Sequence, residues 1–212
     1  MKSKLYSFII LFFTLVPARA QVITEKHLDF SGKDFTNLDI EIADSINLIM
    51  WSKNEIFVTA SVNINNNKDN DAYVISFDET GKSITISGKF KEQYFKGRDC
   101  CCDETDIFWQ IFLPEKSDFK IETINGNITI AGATEEIHAK SISGFIDLAV
   151  PRDHKADLNI STITGTVYTD HEISADRRYS GIPAVITESL NDGGPQVTLE
   201  TISGDIFFRK SY

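Results

Sequence analysis

The chain has 212 residues, 31 of them acidic and 21 basic, for a formal net charge of −10. That balance argues against nucleic acid and anionic lipid as partners, since both require clustered positive charge. It suits cationic ligands, calcium or a solvated acidic surface, and the length fits one domain or two small ones.

Residues 1–20 read as a secretory signal peptide. Lys2 and Lys4 make a basic start, and Leu5 to Val16 is an apolar run broken only by Ser7 and Thr14. Pro17 and Ala18-Arg19-Ala20 then offer a small-x-small cleavage site before Gln21. The run is too short to span a bilayer, so the mature chain is not expected to cross one. No lipobox cysteine lies near the cut, so no lipid anchor is expected. Cleavage leaves 18 basic against 31 acidic residues, and the destination is the periplasm, the cell surface or the medium.

Residues 21–118 are expected to form an N-terminal β region. Residues 21–33 are a lead-in. Apolar residues alternate at Leu38, Ile40 and Ile42, at Ile46, Leu48 and Met50, and at Ile56, Val58, Ala60 and Val62. Period two of this kind predicts half-buried strands with tight turns between them. Trp51 interrupts the polar face at a strand end, a place suited to cap packing or to stacking on a sugar. Tyr73, Ile75 and Phe77 predict a strand, Asp78 to Gly81 a turn, and Ile84 and Ile86 the return.

Residues 88–106 have no clean period. Long loops on rigid β scaffolds often carry binding. Phe90, Tyr94, Phe95, Lys96 and Arg98 form an aromatic-basic cluster there, and they are the candidate binding residues. Cys100, Cys101 and Cys102 are adjacent, so they cannot cross-link distant segments among themselves. A strained vicinal disulfide with a leftover thiol, a metal-binding cluster with Asp99, Asp103 and Asp106, or an exposed loop whose thiols have no role or pair between molecules all remain open.

From residue 119 one phrase recurs four times: FKIETINGNITI (119–130), IHAKSISGFIDL (137–148), LNISTITGTVYT (158–169) and VTLETISGDIFF (197–208). Its glycines, Gly126, Gly144, Gly165 and Gly204, lie 18, 21 and 39 residues apart. One such unit cannot bury enough apolar surface to offset the entropy of ordering it, so the units must share a core. The expectation over 119–212 is a β-solenoid of stacked coils, with Ile124, Ile142, Ile163 and Ile202 as an interior ladder and glycine at each bend. A β-sandwich of repeated hairpins is the alternative. Residues 170–196 are an inserted loop or a degenerate turn. The fold class is therefore all-β, with 21–118 and 119–212 in one continuous domain.

The phrases TINGNITI, KSISGFIDL, STITGTVYT and ETISGDIFF carry a resemblance to the putative-adhesin domains of unknown function in bacterial exported proteins. This group includes the auto-transporter adhesin head and toast-rack-like β-repeat domains. The likeness covers about 34–208 and rests on core and corner residues, so it implies fold and an adhesin-like binding role without any catalytic residue to carry over.

Active-site patterns are missing from the sequence. His27, His138, His154 and His171 have no metal spacing, and no GxSxG elbow or phosphate loop occurs. The outward rows Glu122, Lys140, Ser161, Glu200 and Asn127, Phe145, Thr166, Asp205 supply no stacked carboxylate pair. No catalytic residue, metal or cofactor is expected. The implied function is a non-catalytic envelope or surface binding module whose partner is a protein or a glycan. An envelope scaffold or stress sensor, and a carbohydrate-active enzyme, are the alternatives.

Overall fold

The computed structural model describes residues 22–96, 104–132, 135–173 and 184–211. In chain order the strands are β1 (Val22–Asp29), β2 (Phe35–Ile40), β3 (Ile42–Trp51), β4 (Glu55–Ile64), β5 (Tyr73–Thr80), β6 (Ser83–Phe90), β7 (Thr105–Pro114) and β8 (Asp118–Ala131). They continue as β9 (Ile137–Ser143), β10 (Ile146–Val150), β11 (Ala156–Thr162), β12 (Val167–Thr169), β13 (Ala184–Leu190), β14 (Gln196–Ser203) and β15 (Ile206–Lys210). The all-β expectation holds, and the strands form one large mixed sheet. No helix among the described residues is long and apolar enough to cross a membrane.

The sheet consists of two ladders that share β8. The first runs β5-β6-β2-β8-β9-β14-β11-β13 and uses the front half of β8. The second runs β1-β4-β7-β3-β8-β10-β15-β12 and uses its back half. Strands of the repeats pair in parallel throughout, whereas β5, β13, β1 and β4 add antiparallel edges. Inward residues of both ladders form one hydrophobic cluster. Across it, a Cβ added at Gly88 on β6 would lie 2.5 Å from the Trp109 ring on β7. The buried Tyr73 hydroxyl donates to the Ile42 carbonyl at 3.1 Å, and burial pushes its phenol pKa up.

Two features depart from a stack of coils in chain order. The fourth phrase lies between the second and the third, because β14 pairs with β9 on one side and β11 on the other. The apparent loop 170–196 contributes β13, which hairpins back along β11 and occupies the edge the fourth phrase would otherwise have taken. At the other end of the chain, the supposed lead-in forms β1 on the edge of β4.

The interior isoleucine ladder is corrected. Ile124, Ile142, Ile163 and Ile202 are 49, 42, 48 and 41 % exposed. The inward positions before each bend belong to Thr123, Ser141, Thr162 and Thr201, all buried. The reason lies in the backbone. Along β8 the inward set runs Phe119, Ile121, Thr123, then Gly126, Ile128, Ile130, so Ile124 and Asn125 both face out at the corner. Carbonyls that turn inward there need donors, which a hydroxyl supplies and an isoleucine cannot. The Thr123 hydroxyl donates to the Glu41 carbonyl at 3.2 Å. Thr162 and Thr201 both donate to the Gly204 carbonyl, at 2.9 and 3.1 Å. The Ser141 hydroxyl reaches the Gly126 and Ser143 carbonyls at 3.3 and 3.1 Å.

The corner glycines are required by close approach. A Cβ at Gly204 would sit 2.0 Å from the Gly144 carbonyl oxygen, and one at Gly165 1.8 Å from that of Gly204. Gly144 also has φ +124°, which side-chain-bearing residues rarely adopt.

Candidate binding surfaces

Three surfaces present side chains that the core does not consume. The first is the corner itself. Strand register sets Ile124, Ile142, Ile202 and Ile163 side by side as an exposed aliphatic row, with Asn125, Ser143, Ser203 and Thr164 running beside it. A groove along this corner is lined by Asp39, Glu41, Glu122, Thr123, Ile124, Lys140 and Ile142. Its charges are tied in pairs: Lys89 to Asp39 at 2.6 Å, Lys120 to Glu122 at 2.9 Å, and Lys140 to Glu200 at 3.8 Å. Glu122, Lys140, Glu200 and Ser161 form one outward row, in the structural order set by the exchanged third and fourth phrases.

The second surface is the outer face of the second ladder. Strand register brings Thr59, Gln110, Asn47 and Thr129 into a line that continues through Asp147 to Phe207 and Tyr168. On one side of it lie Phe57, Phe112, Ile49 and Ala131; on the other lie Ser61, Phe108, Ser45 and Asn127. At one end of the line Glu25 on β1 adjoins Thr59, and aromatic groups stand beside the line and at its far end. Beside the line His27 stacks on Phe57 at 4.3 Å, Phe57 lies 6.0 Å from Phe112, and Trp51 lies 5.0 Å from Phe112, with the Lys53 ammonium 4.4 Å from the centre of the Trp51 ring. At the other end Tyr168 stacks on Phe207 at 5.1 Å, and Phe145 meets Phe207 edge-on at 6.0 Å. Arg209 and Asp147 form an ion pair beside them. Trp51 donates its indole N–H to the Glu55 carbonyl at 2.7 Å, so it is a strand-end packing residue in part.

The third surface holds the aromatic-basic cluster singled out in the sequence. Phe90 and Tyr94 are buried, and Phe90 lies against Tyr73 at 5.2 Å and Tyr94 at 5.1 Å. Phe95 touches both rings yet stays 41 % exposed, and Lys96 is exposed. Arg98 and Cys100, Cys101 and Cys102 lie outside the described residues.

The histidines do not assemble into a ligand set, and no group of three metal-ligating side chains occurs among the described residues. His138 is half-buried on the outer face of β9. His27 lies 3.4 Å from Glu55. His171 is buried against Phe208 at 4.6 Å, and burial lowers its pKa. Burial lowers that of His154 as well, with the charge of His171 as the next cause.

Sequence reasoning reached the corner but placed its isoleucines on the wrong side. It missed the amide-hydroxyl row altogether, because that row is assembled from strands far apart in the chain. Trp51, read as a cap or sugar-stacking residue, lies on the same face at the end of β3 but outside the row.

No family model matches the chain, and no curated protein matches it either. Among solved structures, a "putative cell adhesion protein" from Clostridium sporogenes ATCC 15579 superposes with a TM-score of 0.60 at 10% identity, over 91% of this chain and 100% of that one. At that identity the likeness shows the fold alone. A "putative adhesin" from Bacteroides fragilis NCTC 9343 matches at 8% identity and TM-score 0.29, over 92% of this chain and 99% of that one. A "putative lipid binding protein" from Parabacteroides distasonis ATCC 8503 matches at 9% identity and TM-score 0.29, over 92% and 98%.

Proposed function

We propose that this chain is an exported, non-catalytic binding module of the adhesin-like kind, working at the cell envelope, on the surface or beyond it. The observation that carries the reading is the unbroken row of exposed isoleucines on a corner held rigid by stacked glycines and buried hydroxyls. Large aliphatic side chains aligned outward on an immobile backbone lose little entropy when a partner covers them. The flanking carboxylates Glu122 and Glu200 are engaged by lysines, an arrangement suited to recognition more than to proton transfer. The signal-peptide pattern of residues 1–20 supports export, and the fold likeness to a protein named for cell adhesion supports the class. We read the repeats as a solenoid-type stack whose third and fourth coils are exchanged. Phe90, Tyr94, Phe95, Lys96 and Arg98 form a proposed second contact region, in which Phe95 and Lys96 supply the exposed groups.

The test is attachment of the labelled, exported protein to intact cells and to immobilised extracellular-matrix proteins. Saturable attachment is expected, and Ile142→Ser with Ile202→Ser is expected to abolish it without loss of the folded spectrum. Attachment to none of these surfaces, or attachment indifferent to the double substitution, would overturn the reading.

A further inference from the structure

We infer that the outer face of the second ladder is a binding site for an extended, uncharged glycan. The inference deepens the binding-module reading by naming a ligand class, but it concerns a different face from the isoleucine corner. It starts from a contrast between the two outer faces of one protein. A quarter of the chain is charged, at 25% Asp, Glu, Lys and Arg. The outer face of the first ladder shows this plainly, with the pairs Lys89–Asp39, Lys120–Glu122 and Lys140–Glu200. Across the middle of the second ladder, the outward row Thr59, Gln110, Asn47 and Thr129 carries no charge, with Glu25 and Asp147 adjoining it on either side.

Those four side chains are also unspent. No side-chain hydrogen bond or ion pair ties any of them to another described residue. Their inward neighbours Val58, Ala60, Ile111, Trp109, Leu48 and Ile130 are buried, which fixes the row facing out. Adjacent strands lie about 4.8 Å apart, so the row presents donors and acceptors at that interval over roughly 14 Å. Continued to Tyr168, it spans about 29 Å.

The ligand's chemistry follows from what the face offers. Amides and hydroxyls without charge match hydroxyl groups, which both donate and accept. The aromatic groups beside the row and at its far end, with Tyr168 48 % exposed, match the apolar C–H faces of pyranose rings. A polyanion would be repelled by the net charge of −10. A lipid would need a continuous apolar patch where the hydrogen-bonding row lies. A single sugar would reach only one or two of the four groups, whereas a chain of sugars laid across the strands reaches them all, with the Phe57–Phe112 group beside it and Tyr168 at its far end.

Affinity gel electrophoresis of the exported protein tests this, with mixed-linkage β-glucan, xylan, mannan and dextran as neutral probes and alginate as the anionic one. At least one neutral polysaccharide is expected to retard migration. Asn47→Ala with Gln110→Ala should weaken that retardation about tenfold, from the loss of two neutral hydrogen-bonding groups. Tyr168→Ala should weaken it too, at an unchanged melting temperature, while Ile142→Ser with Ile202→Ser should leave it intact. Retardation by alginate alone, by no polysaccharide, or undiminished in the Asn47 and Gln110 variant would overturn the assignment. Since the corner variant reports on cell attachment and the face variant on glycan, failure of one reading is distinguishable from failure of the other.

Discussion

Replacing Ile142 with aspartate separates the two placements of the corner isoleucines. Were Ile142 interior, the variant would bury a carboxylate without a partner, and the chain would not fold. In the structure it is 42 % exposed, so a little over half of its surface is covered. Burying a whole isoleucine contributes about 1.5–3 kcal/mol, and the covered share is then worth about 1–2 kcal/mol. The new carboxylate stays in water, near Lys140, so no further charge penalty arises. Proteins of this size are stable by about 5–15 kcal/mol, so the variant should fold. With a urea dependence of about 2 kcal/mol/M, the unfolding midpoint should fall by about 0.5–1 M with an unchanged slope. Equilibrium urea denaturation followed by fluorescence measures it. Failure to fold, or a loss above about 4 kcal/mol, would show that the exposed row is misplaced and that the proposed contact surface goes with it.

Other substitutions read the corner from inside. Thr162→Val keeps the shape but removes the hydroxyl that donates to the Gly204 carbonyl at 2.9 Å and accepts from the Gly165 amide at 3.0 Å. A loss of about 1–3 kcal/mol by urea denaturation is expected, from the Gly165 amide left without an acceptor, while the Gly204 carbonyl keeps its bond from Thr201. Gly204→Ala forces a methyl to within 2.0 Å of a carbonyl oxygen, and the strands must part. Its cost should reach or exceed about 3 kcal/mol, the upper end for overpacked sites, and a melting temperature within a degree of the parent would refute the close approach. For pH, the folded pKa of both His154 and His171 lies below the unfolded value, chiefly through burial. The unfolded chain therefore binds more protons, and stability present above about pH 6.5 is lost as pH falls toward the folded values. Melting temperatures from pH 8 to 5 should show the decline, and His154→Asn with His171→Asn should flatten it.

Much of the core was legible because period two is a local signal. Phe119, Ile121, Ile128 and Ile130, and their counterparts in the other phrases apart from the half-buried Thr169, are buried as their alternation implied. The same signal, followed strictly, puts Thr123 inward and Ile124 outward. Hydropathy favoured the isoleucine, and hydropathy lost because the bend gathers carbonyls that an apolar side chain leaves without donors. The order of the phrases was not legible. Four near-identical units can pair in any order by side-chain pattern alone, and the choice is made by what lies between them. The stretch 170–196 holds a strand, β13, that takes the free edge of β11, so the last phrase must enter on the other side, against β9. The amide-hydroxyl row was beyond sequence reach for a related reason: Asn47, Thr59, Gln110 and Thr129 become neighbours only through pairings between distant strands.

The shared strand β8 explains how one chain can carry two faces of different character. Its front half pairs with β2 and β9, and its back half with β3 and β10. Outward residues before the bend are Lys120 and Glu122; those after it are Asn127 and Thr129. The change from charged to neutral therefore occurs within one continuous strand, at Gly126, and is repeated in part by the neighbours: Lys140 before the bend and Phe145 after it on the second phrase, Glu200 before and Phe207 after on the fourth. Electrostatic repulsion between molecules of net charge −10 acts over a Debye length of about 8–10 Å, and paired surface ions contribute to solubility without adding much stability. Charge is not absent from the second ladder, which carries Glu25, Glu55, Asp147 and Arg209, but it leaves the middle of that face, from Thr59 to Thr129, neutral. The exposed isoleucines stand on the line where the two faces meet, so the proposed partner seat on the corner and the proposed glycan row on the second ladder use different side chains.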